Sequence, residues 1–401
     1  MPLLADALSR LYARIPLGMR LGLEPMRTAC ARVGHPERSF ATVHVAGTNG
    51  KGSACSMVAA IAHVHGMRAG LYTSPHLCRF AERIRIHGEP IDDTSLADVL
   101  SRALDAGPDL SFFEAATLAA FLAFRDARVD VAILEVGIGG RLDATNVIPT
   151  PRAAAITRIA LDHTDRLGAT LADIAREKAG IAKPGLDLVV GPMASEVRRT
   201  IDDVAHANGA TTSSIDAVPA PPQVGLAGEH QRDNARVASL LGARLGASQA
   251  SIERGIANVR WPGRLERIGE FLLDAAHNPD GAEALARHLR GLALSPQRVV
   301  LVFGTLGDKD WAPMLDVLSP LADRRIYVAP HGASRVAIHP QAMAARRSGL
   351  VASSVEEAIA LATAPHPPTP SPQVVIAGSL VLVGEARALL LGLPRDPPVA
   401  L

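Results

Sequence analysis

Lysine is almost missing from this chain. Of the 41 lysines and arginines in 401 residues, only Lys51, Lys178, Lys183 and Lys309 are lysines. Arginine therefore fills nearly every ordinary cationic position, and each remaining lysine invites a reason. A compact ammonium can enter a phosphate cradle or lose its proton when buried, which arginine cannot do. Cysteine is also scarce: Cys30, Cys55 and Cys78 are odd in number and lack metal-site spacing. That argues against a disulfide framework and against zinc, and fits reduced thiols in the cytosol. Charge of one sign is lacking too, since the formal net charge is +1 with acids and bases interleaved. Nucleic acid and anionic membrane are thus poor partners, and a small-molecule ligand is the better expectation. No apolar run is long and uncharged enough to span a bilayer. The opening "MPLLADALSRLYARIPLG" carries charges inside its apolar pattern and has no small-residue cleavage site, so it reads as an amphipathic helix and not a signal peptide.

What is present is ample core material, 48% hydrophobic residues, in a chain too long for one core, so two domains are expected. Short β-branched runs, each followed by a turn and a helical pattern, recur in both parts. They are "ATVHVAG", "VDVAILEVG", "RAAAITRIA" and "LDLVVGP", then "FLLDAAHNP", "RVVLVFGT", "RRIYVAP" and "QVVIAGS". Apolar strands alternating with helices predict α/β domains with parallel sheets covered on both faces. In "ANVRWPGRLERIGE", Pro262 and Gly263 break the helical pattern and mark a hinge at residues 261–264. The chain divides there into 1–262 and 263–401. Proline-rich stretches at 215–225 and 363–373 read as surface connections. Ligands in such architectures bind at the carboxyl ends of strands or between domains.

"HVAGTNGKGS" (44–53) departs from the usual phosphate loop, G-x-x-x-x-G-K-[ST], because Gly52 separates Lys51 from Ser53. Its context is right, with a strand before the glycines and a helical run after them. That order aims backbone N–H groups and a helix N-terminus at phosphate oxygens, with Lys51 as point charge and Ser53 as magnesium ligand. The alternative is a glycine-rich turn. In "VAILEVGIGGRLDATN" a strand ends at Glu135, a position suited to holding magnesium or, alternatively, a solvated turn. In "LDHTDRLG", His163 is either a ligand or a hydrogen-bonded loop histidine. "REKAGIAKPG" places Lys178 on a helix in the same region, where pairing with Glu177 or Asp173 is the ordinary alternative. In the second part, "LLDAAHNPDG" with Asp274, His277 and Asn278, and "VFGTLGDKD" with Lys309, read as strand-end loops facing a cleft, although Asn-Pro-Asp-Gly is also ordinary turn chemistry.

Taken in order, "GTNGKGS", "TSPHLCRFAERIRIHG", "LEVGIGGRLDATN", "ALDHTDRLG", "REKAGI", "GEHQRDNARVA", "WPGRLE", "DAAHNPDGA" and "GSLVLVGEAR" resemble the folylpolyglutamate synthase and dihydrofolate synthase family, relatives of the Mur peptide ligases. The resemblance covers nearly the whole chain, and the displaced lysine and serine are the family's own form of the loop. It implies a P-loop ATPase-like, mostly parallel domain that binds ATP and pteroate or folate, followed by a smaller Rossmann-like glutamate-ligase domain. It also implies ATP-dependent amide ligation, in which a carboxylate is phosphorylated and the amine of L-glutamate displaces the phosphate.

By that resemblance, Lys51 and the amides of Gly47, Thr48, Asn49, Gly50, Lys51, Gly52 and Ser53 hold phosphates. Ser53 and Glu135 hold a first Mg2+ and His163 a second, and Lys178 matches a lysine carried as a carbamate. Asn234 lies near the adenine, Arg264 reaches the phosphates, Asp274 meets the ribose and His277 borders the glutamate pocket. Residues matching Ser111, Phe113, Asp143 and Ala144 border a pteroate site, where a ring to stack on and a carboxylate for pterin N–H groups make chemical sense. They favour the bifunctional type, which joins dihydropteroate to glutamate and extends folates, over a monofunctional folylpolyglutamate synthase. A cell-wall Mur ligase carries a nucleotide domain before the ATP loop, and the 46 residues ahead of Gly47 are too few for one. A non-catalytic nucleotide-binding regulator would have a broken site, whereas Lys51, Ser53, Glu135 and His163 are all present. A cytoplasmic monomer acting on dihydropteroate, folates and L-glutamate is the resulting expectation.

Overall fold

The computed structural model of the protein describes residues 3–15, 22–292, 299–331, 336–364 and 373–396. Its strands fall into two sheets. The first holds β1 (Ala41–Ala46), β2 (Ala69–Tyr72), β3 (Ile84–Ile86), β4 (Glu89–Pro90), β5 (Val131–Glu135), β6 (Ala153–Ile156), β7 (Asp187–Val190) and β8 (Thr211–Ser214), in the order β4-β3-β2-β5-β1-β6-β7-β8. The second holds β9 (Glu266–Ile268), β10 (Phe271–Asp274), β11 (Val299–Phe303), β12 (Arg324–Tyr327), β13 (Leu350–Val351) and β14 (Gln373–Ala377), in the order β13-β12-β11-β14-β10-β9.

All eight runs read as strands are strands, and the central ones are parallel, with β1 flanked by β5 and β6 and β14 by β10 and β11. The sheets are mostly parallel, as expected, and the antiparallel pairs β2–β3, β3–β4 and β9–β10 lie towards their edges. The reason is local. β3 and β4 are joined by His87 and Gly88, both at positive φ (55° and 88°), and β9 and β10 by a turn through Gly269 at φ 57°. Connections this short can only reverse the chain.

Strands β1 and β5 are apolar almost throughout because both faces of their sheet are covered. On one face lie the helices Lys51–Val64, His230–Arg244 and Gln249–Asn258. The other carries a helical layer around Phe112–Asp126, which opens with a reciprocal Ser111–Glu114 cap and is buried on nearly its whole circumference. Residues 215–225 form irregular structure, as the prolines suggest, whereas 365–372 of the second proline-rich stretch lie outside the described residues. No described helix is long and apolar enough to cross a membrane. The carboxyl ends of β1, β5, β6 and β10 all open on one cleft between the sheets, lined by residues such as Gly47, Glu135, Thr157 and Asp274.

Candidate active site

Where β1 ends, the chain turns through Gly47 and Gly50 into the helix Lys51–Val64. Gly47 has φ 147°, and a Cβ there would collide with Thr157 Oγ1; at Gly50, φ is 90° and a Cβ would strike the Asn234 amide. The loop is thus shaped by Thr157, just past β6, and by the helix His230–Arg244. Part of the expected amide cradle is corrected. The N–H groups of Thr48 and Asn49 donate to the Arg158 carbonyl, at 2.7 and 3.4 Å, because an antiparallel bridge ties the loop to the chain after β6. The donors left for an anion are those of the first helical turn, including Gly52 and Ser53, which have no intrahelical partner. Lys51 Nζ folds back onto the Thr48 carbonyl at 3.2 Å, which holds the ammonium over the loop.

Glu135 is buried and accepts from the Ser74 amide at 3.1 Å. Burial pushes its pKa up, while Lys51, the Ser74 N–H and Arg264 pull it down. A buried carboxylate facing several cations, with the buried Ser53 hydroxyl at the start of the adjacent helix, is an oxygen-donor set that fits a hard cation. Among the described residues no cluster of three or more His, Cys, Asp or Glu side chains forms a cage. An ion here would complete its shell with phosphate oxygens and water, as magnesium usually does.

Lys178, near the end of the helix Leu171–Ala179, is 4% exposed and donates to the Gly47 carbonyl at 2.9 Å. Desolvation lowers its pKa to about 7, with Lys51 adding to the effect. The ordinary alternative of pairing along its helix does not occur: Glu177 binds Arg141 at 2.8 Å, and Asp173 caps the helix with Thr170 and pairs with Arg176. His163 sits at φ 50°, ψ 39°, a left-handed conformation that turns its ring into the cleft. Burial lowers its pKa to about 3, so the ring is a neutral lone-pair donor.

From the second sheet come Arg264, Asp274 and His277, which also line the cleft, as does Asn234. Each Asp274 oxygen already accepts a backbone N–H, from Leu265 and from Ala276, both at 3.0 Å. This carboxylate therefore shapes the hinge as well as the cleft, with one lone pair per oxygen left over. Asn234 donates to Gln231 at 2.9 Å, and His277 Nδ1 pairs with the Ala275 carbonyl at 2.9 Å.

Ser111, Phe113, Asp143 and Ala144 do not line this cleft, and Phe113 and Asp143 sit against the Gly137–Ile138 segment, which does. Ser111 is the helix cap. Phe113 packs directly under Gly137, with its ring centroid 6.1 Å from that of Tyr72. Asp143 accepts from the N–H groups of Gly137, Ile138 and Thr145 and from the Thr145 hydroxyl.

The residues that sequence reasoning passed over are Asp162, Asp280 and Arg158, which join the two sheets. Asp162 accepts from Lys309 Nζ at 3.0 Å and Asn278 at 3.2 Å, and His277 Nε2 lies 3.6 Å away. His277, then Lys309 and His163, hold its pKa far below the carboxylate range despite burial. Asn49 exchanges hydrogen bonds with Asn278 and donates to Asp280, which also binds Arg158. Lysine scarcity singled out Lys309; nothing in the local sequence marks its partner.

Family profiles agree with this layout. The Mur ligase middle domain matches residues 45–188, and the Mur ligase glutamate ligase domain matches residues 263–380. Over 402 residues the chain is 34% identical to the folylpolyglutamate synthase of Lacticaseibacillus casei, covering 90% of this chain and 92% of the relative. Among solved structures, Escherichia coli FolC in complex with DHPP and ADP superposes with a TM-score of 0.86 at 32% identity, covering 98% of both chains. A bifunctional folylpolyglutamate synthase/dihydrofolate synthase with Mn, AMPPNP and L-glutamate bound gives 0.85 at 34%, again over 98% of both. The two domains and their shared cleft define a Mur-type ligase architecture. Within it, the chain belongs to the folylpolyglutamate synthase/dihydrofolate synthase family.

Proposed function

We propose that this protein is an ATP-dependent amide ligase that joins L-glutamate to dihydropteroate, giving dihydrofolate, and to folates, giving folylpolyglutamates, through an acyl phosphate. The observation that carries the reading is the convergence of Lys51, Ser53, Glu135, His163, Lys178, Arg264 and His277 on one cleft between two α/β units. Carboxylate and amine do not condense unaided in water, and phosphorylation creates a leaving group whose charge this cleft can neutralise. Residues 1–262 bind ATP and the acid, and residues 263–401 supply the glutamate side.

Lys51 and the first helical turn after it take the β and γ phosphates. Ser53 and Glu135 would hold one Mg2+ and neutral His163 a second, and ions held there would supply positive charge against a transferring phosphoryl group. Asn234 faces the adenine, Asp274 the ribose, Arg264 the phosphates and His277 the incoming glutamate. Lys178, with a pKa of about 7, has an appreciable neutral fraction near neutrality and so can add carbon dioxide to become a carbamate. Extra density of three atoms on its Nζ in an active crystal would support this, and a bare amine there would contradict it. Ser111, Phe113, Asp143 and Ala144 border the pteroate behind the Gly137–Ile138 segment. The working form is a cytoplasmic monomer.

A monofunctional folylpolyglutamate synthase is the second reading, favoured by the full engagement of Asp143 as an acceptor. Incubation of the protein with ATP and L-glutamate, with dihydropteroate in one tube and a tetrahydrofolate in the other, separates the two by mass spectrometry. A glutamate adduct in both tubes is expected. An adduct on the tetrahydrofolate alone selects the second reading, and none in either tube overturns both.

A further inference from the structure

We propose that a side pocket of the cleft, walled by Arg85 and Trp261, is a carboxylate subsite. It takes the non-reacting carboxylate of a folate's terminal glutamate, and the proposal rests on the ligase reading above. The pocket adjoins the phosphate loop. Gly52, Ser74, Glu135 and Arg264 border both it and the cleft, whereas Glu82, Arg85, Trp261 and Pro262 border the pocket alone. With a volume of about 40 Å³ it has room for about three water-sized groups, which is a carboxylate and little more. It lies on the side proposed for the acid, since β3, which carries Arg85, pairs with β2, whose Tyr72 ring is 6.1 Å from that of Phe113.

The charges around the pocket are unequally spent. Of its two carboxylates, Glu82 accepts the N–H groups of Leu77, Cys78 and Arg79 at 2.8, 3.1 and 3.0 Å, and Glu135 accepts that of Ser74 and is offset mainly by Lys51. Arg85 is far less engaged. Among the described residues its single hydrogen bond runs from Nη1 to the Gly88 carbonyl at 3.2 Å, and its Nε is buried without a partner. Its guanidinium carbon lies 5.5 Å from the centre of the Trp261 ring, a contact that holds the flat cation on the pocket wall. Nη2 is left accessible and unpaired. Anchoring the turn takes Nη1 alone, and a guanidinium with a donor to spare beside a second cation, Arg264, suits an anion with two oxygens.

The two acids of the proposed reaction differ in this group. Dihydropteroate has one carboxylate, and it reacts. A folate ends in glutamate and so has two, one to be phosphorylated and one to be kept from the γ-phosphate. Their carbons are four bonds apart, roughly 5 Å in an extended chain. With the reacting carboxylate held by Lys51 beside Glu135, the other reaches the pocket that begins at Glu135, and Arg85 neutralises it there. Arg85 is thus a specificity residue, which orients folates for extension and meets no group of dihydropteroate.

The test is steady-state kinetics of the full-length protein, Arg85→Met and Arg85→Lys, with dihydropteroate, tetrahydrofolate and a tetrahydrofolate whose non-reacting carboxylate is an amide. Arg85→Met should raise the KM for tetrahydrofolate about tenfold more than the KM for dihydropteroate, the scale of one charge-assisted hydrogen bond. Arg85→Lys, which keeps the charge without the fork, should raise it about threefold more. The parent should have an about tenfold higher KM for the amide than for the acid, and in Arg85→Met the two should lie within about twofold. If Arg85→Met does not fold, the parent decides. Equal KM values for acid and amide in the parent, equal rises for tetrahydrofolate and dihydropteroate in Arg85→Met, or a larger rise for L-glutamate there, overturn the subsite and leave the ligase reading standing. A parent that forms no adduct with tetrahydrofolate overturns both.

Discussion

The two sides of the Gly137–Ile138 segment use polar groups in opposite ways. On the cleft side, Lys51, Lys178, His163 and Glu135 are buried or half-buried; Lys51 is the main charge that offsets Glu135, Lys178 has one backbone contact, and the His163 ring is held neutral. On the other side, for which we propose pteroate binding, Asp143 is saturated by three N–H groups and a hydroxyl, Ser111 is spent on its helix cap and Phe113 is packed under a glycine. The first side keeps under-compensated charge in a low-dielectric place, which is costly for folding and useful for moving charge. The second spends its polarity on shape. Reaction chemistry is therefore readable from charges that the fold leaves hungry, and substrate fit from a surface that the fold has already completed.

If that contrast is right, substitutions on the cleft side should strike both ligations and those on the other side only one. The largest effect is expected for Lys51→Ala, which removes the ammonium over the phosphate loop. Both activities should fall by roughly 10² or more with circular dichroism unchanged. Near-normal turnover would make the loop structural.

Next comes stability as a function of pH. Lys178 titrates at about 7 in the fold and near 10.5 when unfolded. Between those values the unfolded chain binds a proton that the native state has lost, so stability rises with pH through this window and the buried charge is a penalty below it. In carbon-dioxide-free buffer, the stability of the parent relative to Lys178→Met should grow by about 2 kcal/mol from about pH 7 to about pH 9 in denaturant titrations. A flat difference would mean that the amine keeps its proton.

Asp143→Ala should weaken dihydropteroate ligation about tenfold more than folate extension, because two loop N–H groups lose their acceptor where the pterin would lie. Equal losses would erase the distinction between the two sides in steady-state kinetics. Smallest is Arg158→Ala, which breaks a half-exposed pair with Asp280 between the sheets. A cost below about 1 kcal/mol is expected in thermal unfolding.

Much of this was legible in the sequence, and for physical reasons. Strands β1, β5, β11 and β14 are buried on both faces and announce themselves as apolar runs, and the shifted loop keeps its strand-loop-helix setting. Short edge strands were not legible: β8 is Thr-Thr-Ser-Ser and β13 only two residues long, so neither carries a periodic signal. The Thr48 and Asn49 amides looked like phosphate donors because their engagement with Arg158 depends on a bridge to a residue 109 positions away in the case of Asn49. Asp162 with Lys309 and Arg85 with Trp261 are tertiary pairs, and only the fold brings their partners together.

An acyl phosphate formed in the cleft is the central intermediate of the proposed ligation. Dihydropteroate carrying 18O in both carboxylate oxygens, incubated with the protein, ATP and L-glutamate, tests it by mass spectrometry of the inorganic phosphate released. Attack of the carboxylate on the γ-phosphorus, followed by displacement by the amine, leaves one labelled oxygen in each phosphate and one in the new amide. Amide formed with both phosphate and product analysed, and no label in the phosphate, would contradict it.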